Sequence, residues 1–215
     1  MCWSAEVSLI TFISSSLLCS YLWWRNGTND RAIAIWVFWF SLMQLFEFFM
    51  WRNMKNHTWA SKLSYIFILM QPVVLAIALL VYRESLQYNW VKWILYGLIC
   101  LGIMKVISGS YFAYVTQAGK KWLSVRGEHC HLIWPFLGMK EMPYLAKFNW
   151  TWYLALALSI MCITPTSLGA IYLVFGIVTY NVTKAYYGNE VGSLWCWICN
   201  ALALMAIILH PLIVV

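Results

Sequence analysis

Uncharged, apolar runs close to twenty residues long recur along this chain, and no other feature limits so sharply what it can fold into. A helix of about 20 such residues crosses the roughly 30 Å hydrocarbon layer of a bilayer. Seven spans are expected on this count, at about 7–24, 32–51, 63–82, 91–108, 150–163, 167–187 and 193–215, with Pro165 cutting the fifth short. Helices are the expected form, because a backbone in lipid must satisfy its own hydrogen bonds and the alternating pattern of a membrane barrel is missing. The composition agrees, with 63% hydrophobic and 10% charged residues, where soluble domains carry about 25% charged. The expectation is an all-α polytopic bundle of about seven transmembrane helices, a single domain over 1–215, integral to a cell, endomembrane or viral membrane.

Aromatic residues mark the depth of each span. Trp23, Trp24, Trp51, Trp59, Trp90, Trp93, Trp122, Trp150 and Trp152, with Tyr82, Tyr186 and Tyr187, fall where spans should meet headgroups, which reads as an aromatic belt. Trp36, Trp39, Trp195 and Trp197 fall within spans and read as packing. The net charge of +7 is scattered through the connections rather than gathered in a stripe, so no nucleic-acid partner is expected. The basic residues report orientation instead. Nine lie on one side (Arg52, Lys55, Lys62, Lys120, Lys121, Arg126, Lys140, Lys147, Lys184) and four on the other (Arg25, Arg31, Arg83, Lys92). By the positive-inside rule the amino terminus is cytoplasmic and the carboxyl terminus outside, the reverse of a G-protein-coupled receptor. Met1 to Glu6 lacks the basic stretch of a cleavable signal, so the first span is expected to remain as an anchor.

The connection 109–149 is long and amphipathic, with Tyr111, Trp122, Trp134, Phe136 and Tyr144 along it. It is expected to lie on or dip into the membrane face. Seven cysteines are spread through spans and connections, and no disulfide framework is expected from them. Cys196 and Cys199 have dithiol spacing without the βαβ context of a redox domain. His129-Cys130-His131 is a cluster that, with Cys2, Glu6 or Glu47, could complete a metal site of mixed ligands. No lysine lies in the seventh span, so no retinal is expected. Gln71-Pro72 and His210-Pro211 each place a polar residue before proline, in corresponding spans if spans one to three match five to seven. Small transporters are built from such repeats, with sites beside interrupted helices.

A charge in hydrocarbon costs about 2.5–3.5 kcal/mol even on lenient scales and is rarely kept without use. Glu47 is therefore the outstanding residue. Helical spacing puts Phe40, Gln44, Glu47 and Trp51 on one face of the second span. Glu6, Glu47, Lys105, Asn181, Lys184, Cys196, Cys199 and Asn200 all fall toward the cytoplasmic half on this topology, so a polar vestibule is expected around Glu47, with Lys105 as its ion-pair partner. Gln44, Gln71 and, in the outer half, His210 complete the expected ligand or ion pathway.

The opening Met1-Cys2-Trp3-Ser4-Ala5-Glu6-Val7-Ser8, the stretch from Met43 to Arg52 and Leu69-Met70-Gln71-Pro72 resemble a family of multi-pass membrane proteins found in large DNA viruses and in protists. The resemblance covers chiefly the first 80 residues and implies Cys2, Trp3, Glu6, Glu47, Gln71 and Pro72, with His131, as family-marking positions. It supplies no substrate, cofactor or reaction. Three functions stand as expectations: a transporter or channel for a small solute or ion, with Glu47 as coupling group; an intramembrane enzyme using Cys2 or His129 and His131; and a structural or lipid-organising protein, with a homo-oligomer open to it.

Overall fold

The computed structural model describes residues 4–82 and 89–213, with side chains through Leu209. Four helices come first: α1 (Ala5–Arg25), α2 (Asp30–Arg52), α3 (Thr58–Tyr82) and α4 (Asn89–Tyr111), the last prolonged by a π-helical turn over Phe112–Thr116. A loop follows, holding the two-stranded antiparallel hairpin β1 (Val125–Arg126) and β2 (Leu132–Ile133). Then come α5 (Trp150–Met161), α6 (Thr166–Tyr187), α7 (Val191–Cys199) and α8 (Ala201–Ile213).

Among the described residues five helical stretches are long and apolar enough to cross a membrane: α1, α2, α3, α4 with its extension, and the run Thr166–Leu209. The seven expected spans are altered in two places. The fifth is α5, whose 12 residues rise about 18 Å, well short of a hydrocarbon layer. The seventh is two helices that meet at Asn200. A 3-10 turn at Gly188–Glu190 reverses the chain after α6, so that α7 packs on α6 and α2, and α8 on α1 and α2.

Local chemistry sets the ends. Ser4 caps α1 by accepting from the Val7 amide, and Asn26 closes it in the left-handed region at φ 54°, its amide bonded to the Leu22 carbonyl. Asparagine tolerates that conformation where branched residues do not. Gly188 ends α6 at φ 53°, a conformation glycine adopts without strain.

Pro72 does not break α3, which runs through it for 25 residues. Proline has no amide hydrogen, so the carbonyl four residues back loses its helical partner. Here that carbonyl belongs to Ile68, and the Trp152 indole donates to it across the bundle at 3.1 Å. Trp39 donates likewise to the neighbouring Phe67 carbonyl at 2.8 Å. Pro211 poses the same problem for the Ile207 carbonyl, and Arg25 donates to it at 3.0 Å and to the Ala206 carbonyl at 3.1 Å. The two prolines are thus served by an indole and a guanidinium from different helices. α1 and α5, which would correspond if the chain were a repeat, have 21 and 12 residues.

Trp152 and Trp122, expected in the headgroup belt, are core residues at 2% and 1% exposure. Trp23, Trp24, Trp90, Trp93 and Trp150 do stand exposed. Trp152→Phe keeps a ring but removes the donor to Ile68. An unmade buried hydrogen bond costs about 1–3 kcal/mol, which for a chain of this size is a fall of several degrees in melting temperature, roughly 2–4 °C per kcal/mol.

The 112–149 segment packs against the ends of the helices. It folds inward and closes one end of the bundle, burying Trp122, Leu132, Trp134, Phe136 and Ala146. Donors from the helices hold its backbone carbonyls: Lys62 to Gln117 at 2.9 Å, Tyr65 to Ala146 at 2.7 Å, and Lys105 to Leu145 and Lys147 at 3.3 and 3.1 Å. At the opposite end Arg25 and Asp30 form an ion pair at 2.7 Å, and the Asn29 amide donates to the Thr164 carbonyl.

Candidate functional site

Beneath the plug formed by this loop lies a closed set of polar side chains. Gln44 and Glu47 share a face of α2, three residues apart, as do Ser193 and Cys196 on α7. Gln71 joins them from α3, and Asn200 stands at the break between α7 and α8. Gln44, Glu47 and Gln71 are each 0% exposed, and Ser193, Cys196 and Asn200 are buried too. The Trp134 indole reaches down from the loop and donates to Glu47 Oε1 at 3.1 Å. The Ser193 hydroxyl and the Gln44 amide flank the same carboxylate, and the Gln71 amide lies against the Cys196 thiol.

Several polar atoms of this buried set, which we call the chamber, lack well-formed hydrogen bonds. Glu47 Oε2, both polar atoms of Gln44, both of Gln71 and Asn200 Oδ1 have no hydrogen-bond partner of ordinary geometry. Buried polar groups are paired in the great majority of cases, and each one left unmade costs about 1–3 kcal/mol. Six such atoms fall in four residues of this buried set.

Other expected site residues are placed elsewhere. Lys105 does not pair with Glu47. It is 1% exposed and spends its three donors on Leu145, Lys147 and Asn149 Oδ1, so its charge anchors the loop. Glu6 is exposed at the start of α1, and Asn181 is exposed on α6 with its amide returned to the Ile177 carbonyl. Glu6 and Asn181 thus stand apart from the buried set around Glu47. Cys2 and the His210 side chain lie outside the described residues.

His129 and His131 set their rings edge-on to Tyr187. Their backbone amides, at 3.0 and 2.9 Å, donate to the carboxylate of Glu190, a buried acid at the start of α7. Among the described residues no group of three or more His, Cys, Asp or Glu is gathered to hold a metal. Cys130 is disulfide-bonded, while Cys19, Cys100, Cys162, Cys196 and Cys199 are free.

Sequence reasoning missed Ser193, Trp134, Glu190, Asp30 and His57. Ser193 could have been found from its spacing to Cys196, and Glu190 as the lone acid after Pro165. His57 left no such trace. It bridges the α2–α3 corner to the loop: the Ser124 amide donates to Nε2 at 2.7 Å, which leaves the proton on Nδ1 to donate to the Asn53 carbonyl at 2.9 Å. Burial lowers the His57 pKa, against a smaller opposing pull from the Asn53 carbonyl. Burial also lowers that of His131, opposed by Glu190 and reinforced by His129.

Both imidazoles are thus held neutral in the folded chain, so their contribution to stability is complete above the ordinary histidine value of about 6.5. It is lost as pH falls from there through the depressed values. Melting temperature is expected to drop as pH is lowered below about 6.5, with faster hydrogen exchange in 117–134, because a protonated His57 cannot accept from Ser124. A flat profile there would contradict this.

Comparison with protein families, with curated proteins and with solved structures yields no match. The reading of function rests on the site.

Proposed function

We propose that the chain is an integral membrane transporter or channel for a small solute or ion, and that the Glu47 chamber is the point on its path where the transported species is held. The supporting observation is a fully buried carboxylate with one oxygen short of a well-formed hydrogen bond, the Gln44 amide beside it and the Gln71 amide against the neighbouring Cys196 thiol. Ionisable groups inside a membrane mark ion or substrate pathways so often that function is the default reading for them.

Two further features support it. The break at Asn200 divides the last crossing beside the chamber, and transporters build sites from discontinuous helices of this kind. The Asn200 amide donates to the Cys196 and Trp197 carbonyls at 2.8 and 3.2 Å, which steadies the end of α7. The loop supplies the gate: Trp134 seals the chamber from one side and is itself held by Glu47. On this reading α5 with its flanking residues, α6, and α7 with α8 complete seven crossings, the amino terminus being cytoplasmic.

Purified protein in proteoliposomes tests it by flux under an imposed gradient. Glu47→Gln keeps the shape of the side chain and removes its charge. Flux is expected to fall about tenfold to a hundredfold, the rate equivalent of the roughly 1.5–3 kcal/mol that a hydrogen bond to a charged group is worth. Flux that survives this substitution unchanged would take Glu47 out of the path.

A further inference from the structure

The chamber's donor set narrows what it holds, given the transport reading above. We infer that Glu47, Gln44, Gln71 and Ser193 form a binding site for one small, dehydrated monovalent cation of the sodium, potassium or ammonium class. The buried groups gathered here are rich in oxygen: Oε2 of Glu47 and the side-chain carbonyls of Gln44 and Gln71, none with a well-formed hydrogen bond, and the Ser193 hydroxyl against Glu47. Oxygen ligands suit hard cations. The carboxylate carries one formal charge, and the donors set against it, the Ser193 hydroxyl, the Trp134 indole and the Gln44 amide, are all neutral. A single positive charge is what would balance it.

The alternatives fit less well. An anion is repelled by Glu47. A calcium-type site draws on several carboxylates, and the other buried acids are engaged elsewhere, Asp30 by Arg25 and Glu190 by two backbone amides. A soft metal needs more than the Cys196 thiol, and no group of three or more His, Cys, Asp or Glu is gathered among the described residues. A larger organic solute has no room while Gln44, Glu47 and Gln71 are each 0% exposed. What remains is an ion of about the size of a water molecule, for which carboxylate, amide and hydroxyl oxygens replace the hydration shell.

The test is thermal melting of the full chain in detergent, in sodium, potassium or ammonium chloride, with N-methylglucamine chloride and magnesium chloride as comparisons at matched ionic strength. One of the three monovalent cations is expected to raise the melting temperature by about 5 °C or more in a saturable way. Glu47→Gln should abolish the rise while melting no lower than the unmodified chain in N-methylglucamine. Gln71→Leu should weaken the ion's apparent affinity at least about tenfold, and serves as the second variant should Glu47→Gln fail to fold. The inference is overturned if no cation is distinguished, if magnesium does as well, or if Glu47→Gln keeps the full effect. Flux of a neutral solute with no cation dependence would overturn it while leaving the transport reading standing. Cation binding with no flux of any kind would do the opposite.

Discussion

Arg25→Met is expected to be among the most destabilising single changes in the chain, costing about 3–5 kcal/mol, the range for removing one partner of a buried ion pair. Asp30 is 0% exposed and holds Arg25 by a two-pronged contact, Nε and Nη2 each at 2.7 Å from its oxygens. Without the guanidinium, Asp30 retains the Gly27 amide at 2.8 Å but no balancing charge. The same change strips donors from the Ile207 and Ala206 carbonyls, the first of which Pro211 has already deprived of its helical partner. Melting in detergent should fall by roughly 10 °C for a chain of this size. Arg25→Lys should be intermediate, because one ammonium cannot fork onto a carboxylate and reach two carbonyls as well. Asp30→Asn added to Arg25→Met should recover part of the loss by removing the unbalanced charge. A melting temperature for Arg25→Met within about 2 °C of the unmodified chain would show that water replaces the pair. The contact reaches α8, which follows the break at Asn200 and is joined by Arg25 to the corner between α1 and α2.

How far such contacts could be read beforehand depends on where their chemistry lies. Apolar span content is local, so α2 was legible to within two residues at the start, 32 against Asp30, and one at the end. The start of α3 was missed by five residues, because Lys62 in its first turn reads as solvent-facing. Lys62 is buried, with the Gln117 carbonyl as acceptor and the Trp122 and Tyr114 rings beside its ammonium. Backbone carbonyls leave no trace in a sequence. The same reason hides the partners of Lys105: similarity of depth pointed to Glu47, whereas the acceptors are carbonyls about forty residues downstream. Glu47, Gln44 and Gln71 were legible as polar residues in apolar helices, which is a property of composition and period alone. Their convergence with Ser193 and Trp134 was not, since it depends on how the loop folds back across 87 residues of chain to reach Glu47.

The loop's return depends most directly on Glu190, and Glu190→Ala is expected to release it. This carboxylate accepts the backbone amides of His129 and His131 and is 4% exposed, so its loss leaves a buried donor at His131 and a part-buried one at His129 without acceptors. Each charge-assisted bond is worth about 1.5–3 kcal/mol, comparable with the whole cost of undocking a short hairpin. The fit is close: a Cβ at Gly127 would come within 2.2 Å of Glu190 Cδ. Gly127→Ala should therefore produce a similar defect from the other side of the contact, by pushing the carboxylate off its two amides. Both changes are expected to raise hydrogen exchange at 127–134 by at least about tenfold, the equivalent of about 1.4 kcal/mol, while leaving exchange in α1 and α2 nearly unaltered. Because Trp134 follows β2 directly, its indole should leave Glu47, and the chamber should open to solvent from the loop end. A cysteine at Ser193 then reports the opening: it should react with a water-soluble thiol reagent in the Glu190→Ala background and resist it in the unmodified one. Equal protection in both backgrounds would mean that the helix donors Lys62, Tyr65 and Lys105 hold the plug by themselves and that Glu190 does not control access to Glu47.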